Sequence, residues 1–153
     1  MTDLAYCIEN FHKPRMTQIA QFLLEKLEFP YDFFEPPTFE TYMVQIKLPQ
    51  DLIISVNYFS IELSDDTPYL FLQLHCLLGE LQGPPGTELL KAVTEANNAT
   101  ELSQFHVADN QLFLKSVLID DPGQDLDIAQ VAFQLQIFHS NLLDHGGALV
   151  RLI

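Results

Sequence analysis

The chain reads as a small α+β domain, an antiparallel sheet packed with three helices in the order α-β-β-β-α-β-β-α. Three observations predict it. Apolar residues recur at three- and four-residue steps near both ends, at Met16–Leu27 and Ile128–Leu142. Between Tyr42 and Leu78 the period drops to two. From Pro84 to His145 every joint carries a turn or cap residue, so that stretch reads as helix, hairpin, helix.

Residues 1–14 show no clean period and are expected to form an N-terminal extension closed by Pro14. Met16, Ile19, Ala20, Leu23 and Leu27 then make one face of a helix of about four turns, with Pro14 and Thr17 where a start signal belongs. Phe29-Pro30 ends it. The connector YDFFEPP, with Pro36 and Pro37, cannot be helical and is expected to be extended.

Tyr42, Val44, Ile46 and Leu48 share one face of a first strand, and Met43, Gln45 and Lys47 the other. Pro49-Gln50-Asp51 turns the chain. Leu52, Ile54, Val56 and Tyr58 continue the apolar face on a second strand, opposite Ser55, Asn57 and Phe59. Ser64–Pro68 turns again. The third strand places Leu70, Leu72, Leu74, Cys76 and Leu78 on one side and Phe71, Gln73, His75 and Leu77 on the other. Loops this short make an antiparallel meander.

Gly79–Gly86 breaks the sheet. Thr87 is the expected N-cap of the second helix, whose buried side is Leu89, Leu90, Val93 and Ala96. Phe105–Val107, the turn Ala108–Asn110 and Leu112–Ile119 form a hairpin expected to extend the meander. Asp125 or Asp127 caps the last helix, and Gly146-Gly147 is expected to give it a left-handed exit. The whole chain 1–153 is one domain, with its core at 15–145 and a tail at 146–153.

Composition narrows the function. Hydrophobic residues make up 48% of the 153, too many for a disordered chain. No apolar run reaches the ~20 residues of a membrane helix. The N-terminal MTDLAYCIENFHKPR has Asp3 and Glu9 and no cleavage site after an apolar core, so no secretory signal is expected. Cys7 and Cys76 are too few for a disulfide framework, which makes a reduced, cytoplasmic setting the expectation. Seven Lys and Arg stand against 21 Asp and Glu, a formal net charge of -14. That field repels nucleic acid and anionic membranes. It serves solubility, and it also suits a basic partner or one held partly unfolded.

No catalytic constellation emerges. His12, His75, His106, His139 and His145 include no pair at metal-binding helical spacing; His139 and His145, six apart, turn roughly 600° from one another. Cys76 sits on an apolar strand face with no basic neighbour in sequence, the pattern of a buried hydrophobe. Gly83-Pro84-Pro85-Gly86 lacks the lysine and the run of N–H groups a phosphate cradle needs. Asp120-Asp121 and Asp125…Asp127 lack the EF-hand spacing. No metal, cofactor or catalytic residue is therefore expected.

The second sheet face carries the sharper signal. Where an open sheet should be polar, alternation places Phe39, Met43, Phe59, Phe71, Leu77 and Phe113 among Gln45, Ser55, Asn57, Gln73 and Lys115. Either helices cover both faces or this face is an interface.

The element order, with Leu89-Leu90, Asn97-Asn98, Phe105-His106-Val107 and Asn110–Leu114 in helix, hairpin and final helix, resembles the type III secretion chaperone-like fold. Within it the likeness is closest to YbjN-type bacterial proteins, with the CesT/Tir-type class I chaperones as the wider group; it covers about residues 15–145. The resemblance implies a non-enzymatic homodimer that binds a protein segment, as a chaperone or a regulator. The connector at 29–38 departs from typical secretion chaperones. Met43, Phe59, Phe71, His75 and Phe113 are the candidate partner-binding residues. The competing expectation is a small-ligand protein or enzyme using a pocket near that connector, with His75 and His106 as its polar groups.

Overall fold

The computed structural model describes residues 4–26, 31–34, 43–62 and 68–153. Its helices are α1 (Leu4–Cys7), α2 (Lys13–Lys26), α3 (Thr87–Ala99), α4 (Ile128–Asn141) and α5 (Gly147–Val150). Its strands are β1 (Tyr31–Phe34), β2 (Met43–Lys47), β3 (Ile53–Glu62), β4 (Pro68–Glu80), β5 (Gln104–Ala108) and β6 (Gln111–Asp120). The expected α+β architecture is what forms, with three long helices on one antiparallel sheet.

The six strands run in the order β1-β2-β3-β4-β6-β5, every neighbouring pair antiparallel. Two features differ from the expected meander. The connector contributes a short edge strand, β1, paired with β2. The β5–β6 hairpin does not continue the meander in chain order: α3 carries β5 past a strand position to the edge, and β6 returns beside β4. The hairpin turn is the two-residue Asp109-Asn110 loop, with φ of 53° and 59°, the primed geometry that matches strand twist.

Strand alternation holds as read. Val44, Ile46, Ile54, Val56, Tyr58, Leu70, Leu72, Leu74 and Cys76 point inward and are buried, joined by Phe105, Leu112 and Leu114 from the hairpin. They form one core with Met16, Ile19 and Leu23 of α2, Leu89, Val93 and Ala96 of α3, Val131, Leu135 and Phe138 of α4, and Leu149 of α5. The helices thus share one side of the sheet, so among the described residues the second side is left uncovered. Tyr42, Phe39 and the Ser64–Thr67 turn lie outside the described residues.

The helix ends depart from the sequence expectations. Residues 4–14 are not an extension: they are helical and bury Cys7 and His12. Pro14 cannot donate to the Asn10 carbonyl, and a π-helical turn at Ile8–His12 widens the coil just before it. Thr17 lies inside the helix, its hydroxyl donating back to the Lys13 carbonyl at 2.8 Å. Gly86, with no side-chain cap, occupies the N-cap of α3 in place of Thr87, and Leu90 is exposed. Asp127 does cap α4, accepting from the Gln130 N–H at 3.1 Å. Gly146 and Gly147 keep right-handed φ values of -60° and -62°, so the chain runs on through a π-helical turn, Leu142–Gly146, into α5. The tail is therefore packed, through Leu149.

One-sided burial makes a direct prediction for paired substitutions. Leu72→Ala, in the core, should lower unfolding free energy by about 2–5 kcal/mol. Ile119→Ala, 71% exposed on the opposite face, should change it by only about 0.5 kcal/mol. Urea unfolding of the two variants checks both.

Candidate functional site

Because side chains alternate across each strand, the register lays the uncovered face out in rows. Phe59 of β3 faces Phe71 of β4, which faces Ile119 of β6. The next row is Met43, Asn57, Gln73 and Val117, and the next Gln45, Ser55, His75, Lys115 and Gln104. Beyond it Leu77, Phe113 and His106 lie side by side. All five predicted partner-binding residues, Met43, Phe59, Phe71, His75 and Phe113, fall on this face. The predicted Phe39 lies outside the described residues.

Two aromatic clusters stand on it. The Phe59 and Phe71 rings stack with centroids 5.0 Å apart and planes 12° apart. Phe113 is held between two imidazoles, 5.0 Å from His75 and 5.3 Å from His106. All five rings are half-buried, while Ile61, Tyr69, Leu77, Val117 and Ile119 are exposed around them. Burial first, then the charge of Lys115, lowers the pKa of both His75 and His106. Both rings are therefore neutral donors and acceptors at neutral pH.

Beside Lys115, where β5 begins and β6 runs on without an outer neighbour, lies a cavity of about 400 Å³. Its lining is polar: Asn97, Thr100, Ser103, Gln104, His106, Lys115 and Ser116, with Leu102 and Val117. Leu102 is held at φ 62°, rare for a residue with a Cβ. Its carbonyl accepts from Ser116 Oγ at 2.5 Å and Gln134 Nε2 at 3.0 Å, which fixes this wall to α4. Asn97 pins the neighbouring strand, donating to the Phe105 carbonyl at 3.0 Å and accepting its N–H at 2.7 Å.

A second polar assembly lies on the helical side, and sequence reasoning missed it. Arg15 donates to Asp120 Oδ1 at 2.6 Å, to the Asp121 carbonyl at 3.2 Å and to the Gln124 carbonyl. Tyr58 donates to the other Asp120 oxygen at 2.8 Å. His12 stacks on Tyr58 and hydrogen-bonds Ser60 Oγ through Nε2 at 2.6 Å, leaving Nδ1 buried without a partner among the described residues. The signal was present: His12, Met16, Ile19 and Leu23 form a single helical stripe, and Tyr58, Ser60 and Asp120 share the inward parity. This His–Ser pair is not a catalytic dyad. The imidazole has no exposed surface and no carboxylate on Nδ1 to orient it.

The remaining candidates fall into structural places. Burial pushes the Cys76 thiol up to about 11, leaving it inert. Among the described residues no group of three or more His, Cys, Asp and Glu side chains gathers as a metal site. His75 and His106 converge on Phe113 with Lys115 beside them, not on a buried carboxylate. Of the 29–38 connector only Tyr31–Phe34 is described, so a pocket there lies outside the described residues. No helix among the described residues is long and apolar enough to cross a membrane. Compared with protein families, curated proteins and solved structures, the chain matches none.

The His12 environment sets the acid response. Burial holds its folded pKa down at about 4, against 6.5 for a free imidazole. The unfolded chain therefore binds the proton first, and stability falls as pH drops from about 6.5 towards 4. Between pH 7 and pH 5 this one group should remove about 2 kcal/mol. In His12→Gln that share of the loss should vanish. Urea midpoints at the two pH values, wild type against variant, measure it.

Proposed function

We propose that this protein is a non-enzymatic binding module, chaperone-like or regulatory, that holds a protein segment on the open face of its sheet. The observation that carries the reading is that face itself: two aromatic clusters and a rim of exposed Ile, Leu and Val on a six-stranded sheet, with no described element packed over them. Apolar area of this kind on a folded protein marks an interaction surface. The mixture of aromatic anchors with Asn, Gln and Ser matches the composition of protein interfaces, where rings supply area and polar groups supply register.

The type III secretion chaperone-like resemblance supports the same reading and adds a homodimer. Exposed Leu90, Phe133 and Leu143 on the helical layer offer apolar surface for self-association apart from the sheet face. In this reading Phe59 and Phe71 form one anchor, and Phe113 with His75 the other. Met43 sits at the side between them. No cofactor is required.

Selection of random dodecapeptides on the immobilised protein tests the proposal. Apolar-rich peptides should be enriched, and Phe71→Lys should weaken them by about tenfold or more with no loss of thermal stability. A light-scattering mass of about twice 17.5 kDa supports the dimer. Selected peptides that bind Phe71→Lys and Phe113→Lys as tightly as wild type would remove the sheet face from consideration.

A further inference from the structure

The interior rows of the sheet are free of acid in an acid-rich chain: within the strands, acids stand only at Asp32 of the edge strand β1 and at the last residues Glu62, Glu80 and Asp120. Of 21 Asp and Glu, none lies in the strand stretches 43–48, 52–61, 69–79, 104–108 or 111–119. Glu80, paired with Gln111 at the end of β4, is a border carboxylate of the open side, and Asp32 occupies the position of edge strand β1 paired with Gln45. Lys115 stands well inside that border, cross-strand from His75 on β4 and from Gln104 on β5. Among the described residues no carboxylate pairs with it. The groups facing His75 are Lys115, Ser55 and the Phe113 ring; those facing His106 are Phe113 and Lys115. The polar cavity opens at the same place, with Lys115, His106 and Gln104 in its wall. An ammonium ringed by neutral N–H donors, with its own carboxylates kept at a distance, has the chemistry of half an ion pair.

We infer that the segment held on this face carries a carboxylate seated on Lys115, with an apolar side chain resting on the Phe59–Phe71 stack. The inference rests on the open face being the docking surface. Phe71 is four residues from His75 along β4, ~13 Å of extended chain. The acidic and apolar residues of an extended segment are therefore four apart, on the same side of it. A nucleic acid is disfavoured because its many phosphates meet a net charge of -14, whereas one carboxylate meets only the acid-free face. A second copy packed face to face is disfavoured because its interior rows supply no carboxylate for Lys115. Seating the carboxylate favours the charged imidazoles, so binding takes up protons and tightens as pH falls.

The test uses the full chain and a capped Thr/Ser nonapeptide with one Phe and, four residues away, one Glu, beside its Glu→Gln twin. Calorimetry at pH 6 and 8 should show the Glu peptide binding about tenfold tighter than the twin, more so at pH 6. The preference should disappear in Lys115→Gln and persist in Lys115→Arg. Histidine proton resonances of His75 and His106 should titrate at higher pH in the complex. Equal binding of both peptides, lost in Phe71→Lys, overturns the carboxylate and leaves the docking face standing. Binding of neither peptide, with no dodecapeptide selected, overturns both. A single-stranded oligonucleotide that displaces the Glu peptide also overturns it.

Discussion

Burial on one side of the sheet is the constraint on which the rest of this molecule depends. α2, α3, α4 and α5 all deliver their apolar stripes to the same strand faces. Side chains alternate with a period of two, so a slip of one residue in any strand would exchange the two faces. The inward rows of Val, Ile, Leu and Tyr therefore set the register, and the outward rows follow without having to pack against anything. That leaves Phe59, Phe71 and Phe113 in fixed positions on a backbone stabilised from behind. A binding surface built this way has little ordering left to do when a partner arrives.

Asp120 is where this core is tied at its end. Its carboxylate closes β6, accepts from Tyr58 on β3 and receives Arg15 from α2, while the same guanidinium holds two carbonyls of the loop leading to α4. A buried ion pair offsets its desolvation only when its remaining donors and acceptors are also met, as most are here. Burial is the first cause that raises the Tyr58 pKa, and its bond to Asp120 the next, so the phenol stays a donor at every physiological pH. Removing either partner of such a tie would leave a charge buried without its counterpart, at a cost of about 3–5 kcal/mol. His12, one turn away and short of a partner, is the weak point of the same assembly.

The strand faces were legible because alternation is a local property: each inward residue from Val44 to Cys76 announces itself through its neighbours two positions away. The pairing of β6 with β4 was not, since nothing in the hairpin says which of its strands turns inward. A helix of 13 residues is about 20 Å long and carries the chain past a strand position as readily as beside one. Pro14 and Gly146-Gly147 misled for a shared reason. Both are terminators by intrinsic preference, and both are overridden by π-helical turns that keep Cys7, His12 and Leu149 in the core. The aromatic members of the candidate face followed from alternation alone. The cluster around Lys115 did not, because His75, His106 and Gln104 reach it from strands whose adjacency only the register reveals.

Charge distribution completes the account of how an aromatic sheet face stays open. Exposed apolar strands invite association with their own kind. Here the acids within the described strands are confined to edge strand β1 and to strand ends, and the net charge of -14 gives every copy the same strong negative field. Two copies approaching at random repel before their apolar faces meet, over about 8 Å at physiological ionic strength. The acid-free interior rows and the strongly negative net charge are thus two parts of one arrangement. The negative field suppresses indiscriminate contact, and on the proposed docking face Lys115 leaves room for a specific one.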